Sequence, residues 1–332
     1  MTTTTPVTAE PVAPPGWFTA QNMRRTAAQI VSGLGVLAAA ATVAWLAQIA
    51  IPGDRATAIL NIRAGTQQTY TPEQLAEVDK AFGFDTPLVA QWLTYVTGLL
   101  HGDLGTSYSQ FKPVTEIIGN QLAPSLVLTV SALVVAWIIA VVVSLSTVRR
   151  GRLRDGLGTA FEAFTASLPQ YWVGVILLVI FAVKIPIFPV IGGDGAWGSV
   201  LPILTLAIPL SGFLGQVIRD EFEKVLDQPF ITTARTRGLS ETAVRLGHGL
   251  RHAVVPAVSL SGWALGALIS GAVIVENVFG RPGVGQILVT AVNTRDIPTV
   301  SGVVVLIAAI YIVANILVDV VYSIIDPRLG ES

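Results

Sequence analysis

Cysteine is absent from all 332 residues, which excludes disulfides and thiolate metal sites. Charge is scarce: Asp, Glu, Lys and Arg make up 12% of the chain, about half of the roughly 25% usual in soluble domains. The net charge of -1 offers no concentrated basic face for nucleic acid. The four lysines, Lys80, Lys112, Lys184 and Lys224, follow Asp, Phe, Val and Glu, so glycine-lysine occurs nowhere and no P-loop can be written. If ATP drives this protein, the nucleotide site lies on another chain. Gly-x-Ser-x-Gly is missing as well, leaving a serine nucleophile without a local signature. Histidine occurs three times: His101 stands alone, and His248 and His252 are spaced i, i+4. The zinc motif His-Glu-x-x-His needs glutamate where this chain has Gly249, so the pair reads as loop surface rather than a metal site.

What fills the chain is apolar sequence, 52% hydrophobic residues with a mean hydropathy of +0.67, the signature of an integral membrane protein. Crossing about 30 Å of hydrocarbon takes about 20 helical residues. Stretches of that kind fall near 27–51, 124–147, 157–184, 200–218, 254–275 and 299–323, giving six spans. Their continuity marks helices rather than barrel strands, which alternate. Residues 1–23, rich in Thr and Pro, read as a disordered tail ahead of a retained first span, because that apolar run is longer than a signal-peptide core.

Basic residues set the orientation. With the N-terminus inside, Arg24, Arg25, Arg149, Arg150, Arg152, Arg154, Arg219, Lys224, Arg235, Arg237, Arg245, Arg251 and Arg328 are cytosolic. Arg55, Arg63, Lys80, Lys112, Lys184, Arg281 and Arg295 are outside, so the count is 13 against 7 and follows the positive-inside rule. Both termini and a 221–253 loop are then cytosolic, and segments 52–123, with a helical 73–100 stretch, and 276–298 are external. Ionisable residues within spans are few. Glu162, in the third span, and Asp319, near the cytosolic end of the sixth, read as helix-packing groups, Glu162 bonding a Ser or Thr of a neighbouring helix. Mid-span Pro169 and Pro209 are expected to kink their helices.

The cytosolic loop is the most patterned polar sequence in the chain. Pro229 suits the start of a short helix, with Phe230 and Ala234 on one face at i and i+4. Gly238 supplies a left-handed stop. Ser240 caps a second helix with Glu241 in its first turn, and Val244, Leu250 and Val254 recur towards Pro256. Periodicity alone favours a basic amphipathic connector that satisfies the positive-inside rule.

The segment Phe230, Thr232, Thr233, Ala234, Arg235, Thr236, Arg237, Gly238, Leu239, Ser240, continuing to Pro256, resembles the coupling loop of ABC importer permeases. The long interval from Gly238 to Pro256 is similar to the oligopeptide/dipeptide/nickel branch, as a first-permease subunit; Thr232 stands where the general motif has Glu. Further likenesses run in order: Pro72-Glu73-Gln74, Gly83-Phe84-Asp85 and His101-Gly102-Asp103-Leu104-Gly105 after the first span, Glu276 to Gln286 after the fifth, and Asp326-Pro327-Arg328 at the end. Near span one, Pro52-Gly53-Asp54-Arg55 departs from the family's usual proline at the last position. The outer glycines Gly102, Gly105, Gly283 and Gly285 read as turn formers beside Pro282, with Asp103 bracing its turn.

The resemblance implies an all-α type I importer domain over residues 24–329, followed by a short cytosolic end at 330–332, in a bacterial inner membrane and surrounded by lipid. It implies a second homologous permease with the substrate path between the two, two cytosolic ATPases carrying ATP and Mg, and an extracytoplasmic solute-binding protein on the outer face. The chain itself would hold no cofactor and be no enzyme. The competing classes are a stand-alone ion-coupled transporter or channel, which would want paired carboxylates near the midplane, and an intramembrane hydrolase, for which no residue is nominated.

Overall fold

A computed structural model describes the backbone of residues 20–50, 53–190 and 197–325, and the side chains of 31–50, 53–190 and 197–318. The Asp319 side chain, Pro52, residues 1–19 and Asp326-Pro327-Arg328 lie outside those bounds. Among the described residues the secondary structure is helical, with one isolated bridge between Thr106 and Pro113. Five helices among the described residues are long and apolar enough to cross a membrane, six if one bent pair counts as a span.

The first, α1 (Ala20–Ala50), begins inside the segment expected to be a disordered tail. Three short helices follow: α2 (Arg55–Ala64), α3 (Pro72–Phe82) and α4 (Leu88–Leu100). Each start is chemically explicit. Asp54 accepts the Thr57 N–H at 2.7 Å, and Thr71 and Gln74 form a reciprocal capping box ahead of Pro72. The single helical stretch expected over 73–100 is two helices, because Gly83 at φ +69° terminates α3. Ala56, Ile59, Val78 and Tyr108 form a small core with Phe82 and Phe84 beside it, and the Arg55 guanidinium lies 4.1 Å above the Phe84 ring.

The second span, α5 (Val114–Thr147), starts ten residues before the expected 124. Its first turns carry Glu116, Asn120 and Gln121, polar residues that hydropathy discounts. One face of α5 buries Leu128, Ala132, Ala136 and Ala140, four residues apart. That stripe packs on α8 (Val200–Leu226), whose Leu206, Leu214 and Ile218 are fully buried. Small residues every fourth position let membrane helices approach closely, where packing rather than water exclusion drives association.

The expected third span, 157–184, is not one helix. It is α6 (Arg152–Ser167) and α7 (Gln170–Leu178, extended by a π turn to Lys184), bent by 99°. Pro169 is the cause: Leu168 before it is extended, with ψ 128°, because the proline ring excludes the helical region for its predecessor. Pro209, by contrast, sits inside an uninterrupted α8. The chain then forms α9 (Pro229–Thr236), α10 (Glu241–Val244), a π turn Arg245–Gly249, α11 (Leu250–Ala253), α12 (Val255–Val278), α13 (Val284–Asn293) and α14 (Ile297–Ile325). Because α8 continues to Leu226, the loop expected from 221 begins at Asp227.

Candidate functional site

The loop between α8 and α12 gathers at the end of the bundle where α5 and α8 finish. Pro229 occupies the first turn of α9, and Ile231 and Ala234 are buried on its inner face. Phe230, expected to share that face with Ala234, instead lies 39% exposed with its ring 5.2 Å from His252. At helical spacing Ile231 and Ala234 are the i, i+3 pair that turns inward. Gly238 stands at φ +82° with open space where a Cβ would be, so the glycine answers a backbone requirement, not a steric one. Ser240 caps α10 by accepting the Ala243 N–H at 3.3 Å.

Glu241 fastens the two arms. Its carboxylate accepts Arg235 Nε at 3.1 Å and Arg245 Nε at 2.9 Å, and these bonds, Arg235's first, hold its pKa below the ordinary 4.5. Thr232, Thr233, Arg237, Gly238 and Leu239 all remain exposed, so the loop buries one face and offers the other. Pro256, in the first turn of α12, is half-buried. Beneath the loop, Arg149 grips Asp227 through two bonds of 2.5 and 2.7 Å, and that partner lowers the Asp227 pKa from its ordinary 3.8. Among the described residues no group of three or more His, Cys, Asp and Glu could hold a metal.

Arg219, assigned from sequence to the cytosolic charge count, is buried within α8. Its Nε reaches Glu162 at 2.5 Å, Nη1 reaches Asp155 at 2.6 Å and Nη2 reaches Thr147 Oγ1 at 2.6 Å. Glu162 is thus an ion-pair partner, not the Ser/Thr-bonded packing group expected. The approach is so close that a Cβ on Gly158 would lie 2.2 Å from the guanidinium. Sequence reading had no means of finding this pair, because its members are 57 residues apart and on helices whose angle depends on the Pro169 break.

At the opposite end, Gly102 and Gly105 have φ +77° and +84°, and Asp103 accepts the Gly105 N–H at 2.8 Å, the braced turn expected. Gly283 and Gly285 are not turn formers. Gly283 is extended, and a Cβ there would sit 2.1 Å from the Glu276 carboxyl carbon; one on Gly285 would sit 2.3 Å from Val273 Cα. They are glycines because α13 folds back against α12. Glu276 holds that fold: fully buried, it accepts Ser125 Oγ at 2.5 Å, Gly285 N–H at 2.8 Å and Gln286 N–H at 3.3 Å, capping α13. Pro282 is exposed beside it. Asp296, equally buried, accepts Ser107, Ser109 at 2.8 Å, Thr299 at 3.0 Å and the Tyr108 N–H at 2.9 Å. That cluster fastens the turn before α5 to the start of α14. Burial pushes the Tyr108 phenol up to about 12.

A bundle of membrane-length helices, broken once, with a patterned polar loop at one end and a carboxylate-pinned hairpin at the other, defines a multi-pass membrane protein. The chain belongs to the family described as the binding-protein-dependent transport system inner membrane component, which matches residues 132–331, with the family's N-terminal part matching 22–133. It is 35% identical over 280 residues to the glutathione transport system permease protein GsiC of Salmonella paratyphi A, covering 84% of this chain and 90% of that one. The GsiC protein of Escherichia coli K12 is 33% identical over the same length and shares. Among solved structures, an amino acid ABC transporter with histidines aligns at 17% identity and TM-score 0.47, over 64% of this chain and 94% of that one. The MetNI methionine ABC transporter aligns at 17% and 0.49, over 62% and 95%. On the family match and the GsiC relatives, the chain is an ABC importer permease subunit, and the stand-alone transporter reading falls away.

Proposed function

We propose that this permease supplies half of a translocation path for small peptides, with a second homologous permease supplying the other half. Both termini and the 227–254 loop face the cytosol. There, one of two ATPase subunits, which carry ATP and Mg, receives the exposed face formed by Phe230, Thr232, Thr233, Arg237 and Leu239. An extracytoplasmic binding protein meets the outer side, where Gly102, Asp103, Gly105, Pro282, Gly283 and Gly285 lie. The peptide assignment draws on the similarity to permeases named for glutathione, itself a small peptide.

The observation that carries the reading is the half-buried, half-offered loop, whose two arms meet at an angle fixed by Gly238. ATP binding would draw the ATPases together, and the loop would pass that movement into α12 through Pro256. Gly238→Val, a β-branched residue at φ +82°, should abolish ATP hydrolysis coupled to transport while membrane insertion continues. Coupled hydrolysis at the wild-type rate in that variant would remove the loop from the mechanism. A calorimetric screen of the cognate binding protein against short peptides and nickel chelates identifies the cargo, and tight binding of non-peptide solutes alone would refute the peptide assignment.

A further inference from the structure

The loop leads by chain into α12, whereas α5 is not adjacent to it in sequence. Arg245 bridges that gap. It is buried, 3% exposed, although it lies in a loop of mostly exposed residues. Its Nη1 donates to the Val148 carbonyl at 2.8 Å, its Nε donates to Glu241 at 2.9 Å, and its guanidinium lies 5.6 Å from the centre of the Phe222 ring of α8. Val148 is the C-cap residue that follows α5, its own N–H bonded back to the Ser144 carbonyl. Its carbonyl has no partner within the helix, and a cation beside the last turn also matches the negative end of the helix dipole.

The local backbone serves this placement. Arg245 opens a π turn running to Gly249, a wide turn that is frequent at functional sites. Gly249 lets the loop lie directly on α8, since a Cβ there would come within 2.5 Å of Phe222. Two other ties at this end join α5 to α8 rather than to the body of the loop: Arg149 to Asp227, exposed on both sides, where screening and side-chain entropy leave little strength, and Arg219 to Thr147 at 2.6 Å. Arg245 is desolvated and joins the loop itself to α5.

We infer that Arg245 is the positioning residue that couples the loop to α5, so that one displacement of the loop moves α5 together with α8 and α12. This rests on the loop being the ATPase-coupled element. Without the bridge, the loop would still pull the two helices to which the chain connects it, and α5 would follow only through its packing on α8 and the bond from Arg219 to Thr147.

The native chain lacks cysteine, so paired spin labels report cleanly in the assembled complex with cysteine-free partners. A label at Thr242→Cys follows the loop, one at Ser146→Cys follows the end of α5, and each is measured against Val89→Cys on α4, with and without ATP-vanadate. In the otherwise native chain both distances should shift. In Arg245→Met the loop shift should persist and the α5 shift should shrink. Glu241→Gln keeps the bond to Val148 and should retain the α5 shift, which separates loss of the bridge from general loosening of the loop. If Arg245→Met does not assemble, Arg245→Lys, which retains one donor without the fork, should show a reduced α5 shift. An α5 shift of native size in either Arg245 variant overturns the bridge while leaving the coupling loop intact. A loop that does not move in the native chain overturns the coupling reading and the bridge with it.

Discussion

Breaking the buried pair between Arg219 and Glu162 should be costly, and removing both partners together should be far less so. Arg219→Met leaves Glu162, whose side chain is 1% exposed, as an unpaired carboxylate, at a cost of about 3–5 kcal/mol. Glu162→Met should cost less, about 1–3 kcal/mol, because Arg219 keeps Asp155 at 2.6 Å and Thr147 at 2.6 Å. The double variant strands little. Asp155 is 35% exposed and turns to water, and Thr147 keeps its bond to the Val143 carbonyl at 2.7 Å. Methionine fits both sites because it is unbranched and can follow the path of either original side chain. The double variant should therefore lie within about 1–2 kcal/mol of the parent, with a coupling energy of at least about 2 kcal/mol between the sites. Reversible unfolding in mixed micelles, followed for all four proteins, measures this cycle. A double variant that loses the sum of its singles would show that the ion pair is not the coupled unit the geometry describes.

The outer glycines separate two kinds of constraint. Gly283→Ala meets no backbone strain but drives a methyl group into the Glu276 carboxylate, and displacing that carboxylate from its three donors should cost about 2–3 kcal/mol in thermal unfolding. Gly102→Ala has open space and only a left-handed backbone to strain, about 1–2 kcal/mol; the reverse order of stabilities would refute the close-approach account. Acid should loosen the loop before the bundle. Asp227 and Glu241 have depressed pKa values when folded, so their contribution is complete above the ordinary 3.8 and 4.5 and fades as pH falls through the lower folded values. Spin-label mobility at Thr242→Cys should stay flat from neutral pH down to 4.5 and rise only below it, and a rise beginning at higher pH would contradict the sign.

Much of this protein is legible along the chain because its signals are local. Ser240 caps the next helix, Gly238 ends the previous one and Asp103 braces its own turn, since each acts on backbone within about three residues. Apolar length alone announced a multi-span bundle. Local signals also misled where geometry was long-range: Phe230 and Ala234 are spaced for one helix face, yet only Ala234 turns inward. Pro169 was expected to kink a span and instead breaks it by 99°.

The sequence by itself therefore determined the solvent this chain lives in, its all-helical class and the local stops and starts at Gly238 and Ser240, because hydropathy and caps are properties of neighbours. Tertiary structure decided which charges meet. Arg219 with Glu162, Glu276 with the start of α13, Asp296 with Ser107 and Arg245 with Val148 join residues between 9 and 189 positions apart. Each is a polar group withdrawn from water that must find a partner, and only the packing of helices determines which partner is within reach.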